Sequence, residues 1–154
     1  DWPVMESCVK QLREFGEDTH VEVMSAHRNP QRVHEFASKA EADGFDVIIA
    51  AAGMSNALAG TIAANTCLPV IGVPLDGGSL HGFDALLSTV QMPPGVPVAT
   101  VSVGEAGAKN AALLAIQIIA RHDKKLAAAY KTFKADQAKA VEAKNLALLE
   151  RIGS

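Results

Sequence analysis

The sequence has few of the features that mark metal, redox or membrane proteins. Its two cysteines, Cys8 and Cys67, are far apart and form no metal-binding or redox motif. We expect both to be small buried residues in a reducing compartment. No apolar run reaches the roughly 18 residues needed to span a bilayer, and no signal peptide is visible. These absences favour a cytoplasmic protein that binds no metal and no membrane.

Positive charge is also scarce in most of the chain. Residues 1–120 contain 6 Lys and Arg against 13 Asp and Glu, whereas residues 121–154 contain 8 against 4. The net charge of −3 gives no electrostatic signature of nucleic-acid binding. We therefore exclude nucleic acid as a partner and interpret the basic C-terminal segment as a separate helical feature.

The chain contains strand patterns that alternate with helix patterns, which predicts a single α/β domain over residues 1–154. Four apolar runs rich in Val and Ile show little polar alternation, which is typical of strands covered on both faces. They are residues 21–26, 46–53, 69–74 and 97–104. The helical patterns are residues 3–15, 29–43, 55–65 and 106–121. The last two are rich in small residues without a clear polar face, so we predict that they are buried. The order predicts a three-layer sandwich around a parallel sheet, of the flavodoxin-like or Rossmann-like kind.

Both ends of the chain are predicted to be helical. Asp1 is a candidate N-cap, so the sequence opens directly on a helix. Because a doubly wound domain has a strand before its first helix, we expect a strand and a loop ahead of Asp1. Residues 124–150 form a predicted C-terminal helix that must cover this domain or a neighbouring subunit. Its apolar stripe is Leu126, Tyr130, Phe133, Val141, Leu148 and Ile152.

Candidate functional residues follow the predicted strands, since ligands of open parallel sheets bind at the carboxyl ends of the strands. His27 and Arg28 follow the first strand. A histidine there can pass a proton near neutral pH, and an adjacent arginine can clamp a phosphate. The alternative is structural: His27 helps to cap the next helix, and Arg28 is an ordinary surface residue. Asn29 is a candidate N-cap of that helix, and Pro30 is its first residue.

Three glycine-containing loops are weaker candidates. Backbone amides in residues 53–60 could bind an anion at a helix N-terminus, although ordinary strand-to-helix turn chemistry also explains them. The loops at residues 76–79 and 104–107 fit neither a Walker nor a dinucleotide-binding fingerprint. His81 could line a site or lie exposed in its loop, and the other three histidines are expected at the surface: His20, His34 and His122.

Five stretches, in order along the chain, resemble the PurE family of purine biosynthesis. They are residues 1–5, 25–30, 68–74, 84–100 and 108–115, and the similarity runs from Asp1 to about Tyr130. The resemblance implies one of two reactions. Most bacterial members are 5-(carboxyamino)imidazole ribonucleotide mutases, which move a carboxylate from a ring-attached amine to a ring carbon. A second group carboxylates aminoimidazole ribonucleotide directly with CO2.

The resemblance also implies the composition of the site. By this resemblance, His27 is the catalytic histidine. Arg28 binds the substrate phosphate, and Asp1 binds the ribose hydroxyls. Neither group of enzymes needs a metal or an organic cofactor, and the family forms homo-octamers. The family's phosphate loop, of Gly-Ser-x-Ser type, would lie immediately before Asp1. Further substrate-binding residues are expected at Ser25, Gly53, Ser55, Asn56 and Leu58, with the loop 76–82 closing the pocket for CO2.

One loop departs from the mutase pattern. Mutases usually carry Ala-Ala-His-Leu after the second strand's glycine, where this chain has Ser-Asn-Ala-Leu, so that Ala57 replaces a second histidine. Ser-Asn-Ala-Leu is similar to the direct carboxylases, but those usually have Lys at the position of Arg28 and Arg at the position of Met54. The sequence leaves open a mutase, a carboxylase and an inactive PurE-like binding protein; the motif order disfavours a generic nucleotide-binding module.

Overall fold

A computed structural model describes residues 1–153 as helices alternating with short parallel strands. The elements are α1 (Trp2–Glu14), α2 (Pro30–Lys39), β1 (Ile48–Gly53), α3 (Leu58–Ala63), β2 (Val70–Leu75), α4 (Phe83–Val90), β3 (Ala99–Thr100), α5 (Glu105–Ile119) and α6 (Lys124–Ile152).

The sheet is parallel, with the strands in the order β1-β2-β3. Register pairs Ile48 with Val70 at one end of β1 and Gly53 with Leu75 at the other. The predicted bounds of these two strands are confirmed to within two residues. β3 is much shorter than the predicted 97–104, yet its extended backbone continues along β2, since the Gly104 N–H donates to the Pro74 oxygen at 2.9 Å.

Helices cover both faces of the sheet, so the predicted three-layer α/β sandwich is confirmed. Successive side chains of a strand point to opposite faces, and β2 supplies both cores in this way. One core lies between β2, α1 and α5, around Cys8, Ile71, Val73, Leu75, Ala108, Ala111, Ala112 and Ala115. The other lies between β1, β2, α2 and α3, around Val33, Ala37, Ala40, Ile48, Ala50, Ala59, Ile62 and Val70.

The prediction of a strand at residues 21–26 is wrong. Residues 17–25 belong to no helix or strand, and residues 18–24 make no backbone hydrogen bond within the described residues. A strand is defined by hydrogen bonds to a neighbour, and a cavity of about 280 Å³ separates this segment from the free edge of β1. The apolar pattern is therefore present, but the described chain lacks the pairing that makes a strand.

Two helical expectations also need correction. α4 was not predicted, although it begins directly after Gly82, which takes a left-handed N-cap conformation with φ of 81°. α5 is not buried all round: Gly107, Ala108 and Ala111 are buried, whereas Lys109 and Asn110 are exposed. Its small residues let it pack closely on α1, while its polar residues face outward.

The C-terminal helix is longer than predicted and only its first part contacts the domain. The Asp123 carboxylate caps it by accepting hydrogen bonds from the N–H groups of Lys125 and Leu126, at 2.8 and 2.9 Å. Tyr130 and Phe133 then pack against Phe15. The second half of the helix is exposed almost throughout, including its apolar residues Val141, Leu146, Leu148 and Ile152.

The two cysteines have different environments, so the expectation that both are buried is wrong for one of them. Cys8 is buried in the core beside α5, and burial raises the pKa of its thiol to about 11. Cys67 is exposed. Because only the thiolate is reactive, we predict that a thiol reagent at pH 8 modifies one cysteine in the native protein and two in denaturant. Rapid native modification of Cys67→Ser protein would contradict this.

Candidate functional site

The carboxyl ends of β1 and β2 bring two of the predicted loops together. A Cβ placed on Gly53 would lie 3.3 Å from the Gly77 Cα, so the two backbones touch where the strands end. One residue further on, the Met54 Cγ lies 3.5 Å from the Cβ position of Gly78. The loop after β1 and the loop 76–82 therefore form one continuous surface at this edge of the sheet.

Asn56 is the most informative residue of this surface. Its N–H donates to the Ser88 Oγ at 2.9 Å, and the residue is only 2% exposed. Neither the nitrogen nor the oxygen of its side-chain amide has a hydrogen-bond partner within residues 1–153. A buried polar group without a partner costs about 1–3 kcal/mol. The amide is thus a buried donor and acceptor available to a ligand or to another chain.

Asp84 is a second such group, and sequence reasoning did not select it as a site residue. It lies in the first turn of α4, and its Oδ1 is buried without a hydrogen-bond partner in the described part of the chain. Its Oδ2 lies 3.9 Å from the Cβ position of Gly78. Asp84 therefore faces the same loop as Met54. The available signal was its position at the start of the family-like stretch 84–100.

The backbone is strained at two points in this region. Met54 and His81 both take left-handed conformations, with φ of 54° and 51°. Such conformations are unfavourable for residues with a Cβ and cluster at functional sites. His81 is exposed, and its Nδ1 lies 3.7 Å from the Asp76 Oδ2. The loop 76–82 thus contains a histidine in a strained backbone conformation, in addition to its glycines.

His27 and Arg28 lie in an exposed turn, residues 26–28, that is closed by local hydrogen bonds. The Ser25 N–H donates to the Asn29 Oδ1 at 2.6 Å, and the Arg28 N–H donates to the Ser25 Oγ at 3.2 Å. Asn29 is the N-cap of α2, as predicted, although its side chain bonds to Ser25 and not to the helix. Since Asn29 holds the cap position, helix capping does not explain His27.

Asp1 directly precedes α1 and is exposed. It is the N-cap residue of α1, as predicted, but its side chain makes no capping hydrogen bond. Asp1 and Leu58 line one cavity, and Leu58 is the first residue of the helix that follows the carboxyl end of β1. Ser55 in the same loop is exposed. The Asp1 carboxylate is therefore exposed and makes no capping hydrogen bond.

No metal or membrane feature emerges from the described part of the chain. Within residues 1–153, no group of three or more His, Cys, Asp or Glu side chains could hold a metal ion. None of the described helices is both long and apolar enough to cross a membrane.

Comparison with known proteins identifies the family. The family model for AIR carboxylase matches residues 1–140. The N5-carboxyaminoimidazole ribonucleotide mutase of Escherichia coli K12 is 51% identical over 126 residues, which are 82% of this chain and 75% of that protein. The mutase of Saccharolobus solfataricus is 52% identical over 136 residues, covering 88% and 85%. The crystal structure of Treponema denticola PurE superimposes with a TM-score of 0.84 at 29% identity, covering 96% of this chain and 91% of that one. The chain belongs to the AIR carboxylase family, which confirms the resemblance to PurE.

Proposed function

We propose that this protein is an N5-carboxyaminoimidazole ribonucleotide mutase of purine biosynthesis. The observation that carries the proposal is the 46–55% identity to proteins of that name, over 77–92% of the chain. The reaction moves a carboxylate from an exocyclic amine to the neighbouring ring carbon, with CO2 as a bound intermediate. The protein's tasks are then to hold the ribonucleotide, to keep CO2 in place and to move one proton.

His27 is the proposed proton acceptor. Once the carbon–carbon bond has formed, the ring carbon carries both a proton and the new carboxylate, so a base must remove the proton to restore the aromatic ring. A neutral imidazole can accept that proton near pH 7. The turn 26–28 supports this role, since it presents the ring on an exposed loop while Ser25 and Asn29 fix the backbone beneath it.

The remaining residues bind the substrate in this proposal. Arg28 clamps the phosphate, because a guanidinium can form two parallel hydrogen bonds with phosphate oxygens, and Asp1 accepts hydrogen bonds from the ribose hydroxyls. The unpartnered amide of Asn56 supplies a donor and an acceptor to the carboxylate or the ring. The other binding residues are Ser25, Gly53, Ser55 and Leu58, and the loop 76–82 closes the pocket around CO2.

Direct carboxylation is the second candidate, because Ser55, Asn56, Ala57 and Leu58 form the loop that is similar to the carboxylases. One assay separates the two reactions. The purified protein is given either the carboxyamino ribonucleotide, or aminoimidazole ribonucleotide with bicarbonate. We expect rapid conversion of the first and little of the second. The reverse preference would establish the carboxylase, and no conversion of either would leave an inactive binding protein.

Removing the proposed phosphate clamp should weaken binding more than turnover. We expect Arg28→Ala to raise KM by about 10- to 150-fold, which corresponds to the roughly 1.5–3 kcal/mol of hydrogen bonds to a charged group. Steady-state kinetics measures the effect, with Arg121→Ala as the matched control, since Arg121 is an exposed arginine at the far end of α5. A KM unchanged in Arg28→Ala would remove Arg28 from the site.

The exposed half of α6 supports a proposal about assembly. Residues 134–152 extend for about 28 Å at 1.5 Å per residue and expose four large apolar side chains. We propose that this part of the helix packs on a neighbouring subunit in a homo-oligomer, an octamer by resemblance to PurE. Sedimentation should show a species well above 16.1 kDa. Leu148→Asp should shift it toward smaller species, whereas Glu142→Lys should not; a stable wild-type monomer would contradict the proposal.

A further inference from the structure

The turn that carries His27 is enclosed by an ion pair to which the proposed function assigns no role. The Arg32 guanidinium, in the first turn of α2, donates two hydrogen bonds to the Glu22 carboxylate, from Nε at 2.6 Å and from Nη2 at 2.8 Å. Glu22 lies five residues before His27, and Arg32 lies five residues after it. The pair, here called the clasp, therefore joins the two arms of the segment that contains the turn.

The geometry of the clasp is that of a strong ion pair. Both carboxylate oxygens of Glu22 accept a hydrogen bond, each from a different guanidinium nitrogen. Ordinary exposed ion pairs contribute little, and ideal bidentate geometry is the exception, because two parallel bonds fix the orientation of both side chains. Hydrogen bonding to Arg32 also lowers the pKa of Glu22, so the carboxylate remains ionised throughout the neutral pH range.

A second contact attaches the same arm to α2. The His20 Nε2 lies 3.3 Å from the Glu22 Oε2, and the His20 ring stacks on Phe36 with a centroid distance of 6.1 Å and an interplanar angle of 17°. Phe36 belongs to α2, and α2 is anchored in a core by Val33, which is fully buried. The arm before His27 is therefore fixed to a rigid part of the domain by an ion pair and by a ring contact.

The turn itself needs this attachment, because its own hydrogen bonds are internal. Apart from the bonds of Ser25 and Arg28 described above, the Asn29 N–H donates to the Ser25 oxygen at 2.9 Å. Asn29 continues into α2, so that end of the turn follows the helix, whereas the Ser25 end is positioned through Glu22. The His27 ring is exposed, so its place depends on the backbone beneath it. A general base must lie within about 2.6–3.2 Å of the group that it deprotonates, and small displacements are costly.

We propose that Glu22 and Arg32 are positioning residues for His27. Their ion pair holds the arm before the turn against α2 and thereby keeps the imidazole at proton-transfer distance from the substrate. The inference rests on the role given to His27 under the proposed function. Arg28 is less sensitive to a shift of the turn, since its long side chain can follow the phosphate. Loss of the clasp should therefore lower kcat more than it raises KM.

Steady-state kinetics of two variants of opposite charge tests the proposal. Glu22→Gln and Arg32→Ala should each lower kcat about three- to tenfold and change KM less than about twofold. If Arg32 acted as a free charge on the substrate phosphate, the two variants would change KM in opposite directions. The double variant should be no slower than the slower single variant, because both substitutions remove the same contact. Arg32→Lys, which keeps the charge but not the fork, should lose less activity.

Lys109→Ala is the matched control, since it removes another exposed ion pair, in which the Nζ lies 2.8 Å from the Glu105 carboxylate. It should leave kcat unchanged. Hydrogen exchange then separates the clasp from the proposed function. The amides of Arg28 and Asn29 should exchange about three- to tenfold faster in Arg32→Ala than in the wild type, and at the wild-type rate in Lys109→Ala.

The two measurements have distinct outcomes. Faster exchange of the turn in a protein that converts neither ribonucleotide would support the clasp and reject only the proposed function. Unchanged exchange in Arg32→Ala would overturn the clasp, even in an active enzyme. Opposite effects of Glu22→Gln and Arg32→Ala on KM, or an equal loss of kcat in Lys109→Ala, would overturn it as well.

Discussion

Replacing His27 with asparagine should lower kcat by at least about 10²-fold, the lower end of the range for losing general base catalysis. Asparagine has a similar size and can still hydrogen bond, but it cannot accept a proton at neutral pH. KM should change much less, because Arg28 and Asp1 would still bind the phosphate and the ribose. Steady-state kinetics with the carboxyamino ribonucleotide separates the two parameters.

The matched control is His122→Asn, which changes a histidine that is exposed at the end of α5. It should leave both kinetic parameters close to wild type. If His27→Asn retained a near-normal kcat, the base would have to lie elsewhere. His81→Asn would then be the next variant to measure, and since asparagine tolerates the left-handed backbone found at that position, a loss of activity there could be assigned to the ring.

Gly107→Ala should cost about 3 kcal/mol or more of unfolding free energy, at or above the upper end of the usual range for overpacking. A Cβ at this position in α5 would lie 1.6 Å from the Ser102 carbonyl oxygen and 2.7 Å from its carbon. The obstacle is backbone, which a side-chain rotation cannot relieve. The close approach positions α5 directly after β3, at the edge that carries the site. Denaturant unfolding followed by circular dichroism measures the loss.

Gly60→Ala is the matched control for this substitution, since it makes the same change inside another helix. A Cβ on Gly60 would meet only the Met92 side chain, at 3.1 Å from its sulfur, and that flexible group can move. Alanine also gains about 1 kcal/mol of helix propensity over glycine. We expect a stability within about 1 kcal/mol of wild type. An equally small effect of Gly107→Ala would show that the turn before α5 can shift.

Features that depend on local pattern could be predicted from the sequence. Continuous Val- and Ile-rich runs predicted β1 and β2, since a strand covered on both faces needs apolar side chains in both directions. Helical periodicity and an Asn–Pro start predicted α2, with Asn29 at its cap. The ordered motifs around His27 and in residues 84–100 identified the family, because they are short, specific and independent of the fold.

Features that depend on contact with a distant segment could not be predicted from the sequence. Residues 21–26 carry a strand pattern, but pairing requires a partner edge and the described chain leaves a cavity there. Both cysteines were expected to be buried, yet only Cys8 packs into a core, against α5. The Asn56 amide and the Asp84 Oδ1 are buried without a hydrogen-bond partner in residues 1–153, which only the packing of the loops at the strand ends shows. Burial and hydrogen-bond partners arise from residues that are distant along the chain, so no local pattern can encode them.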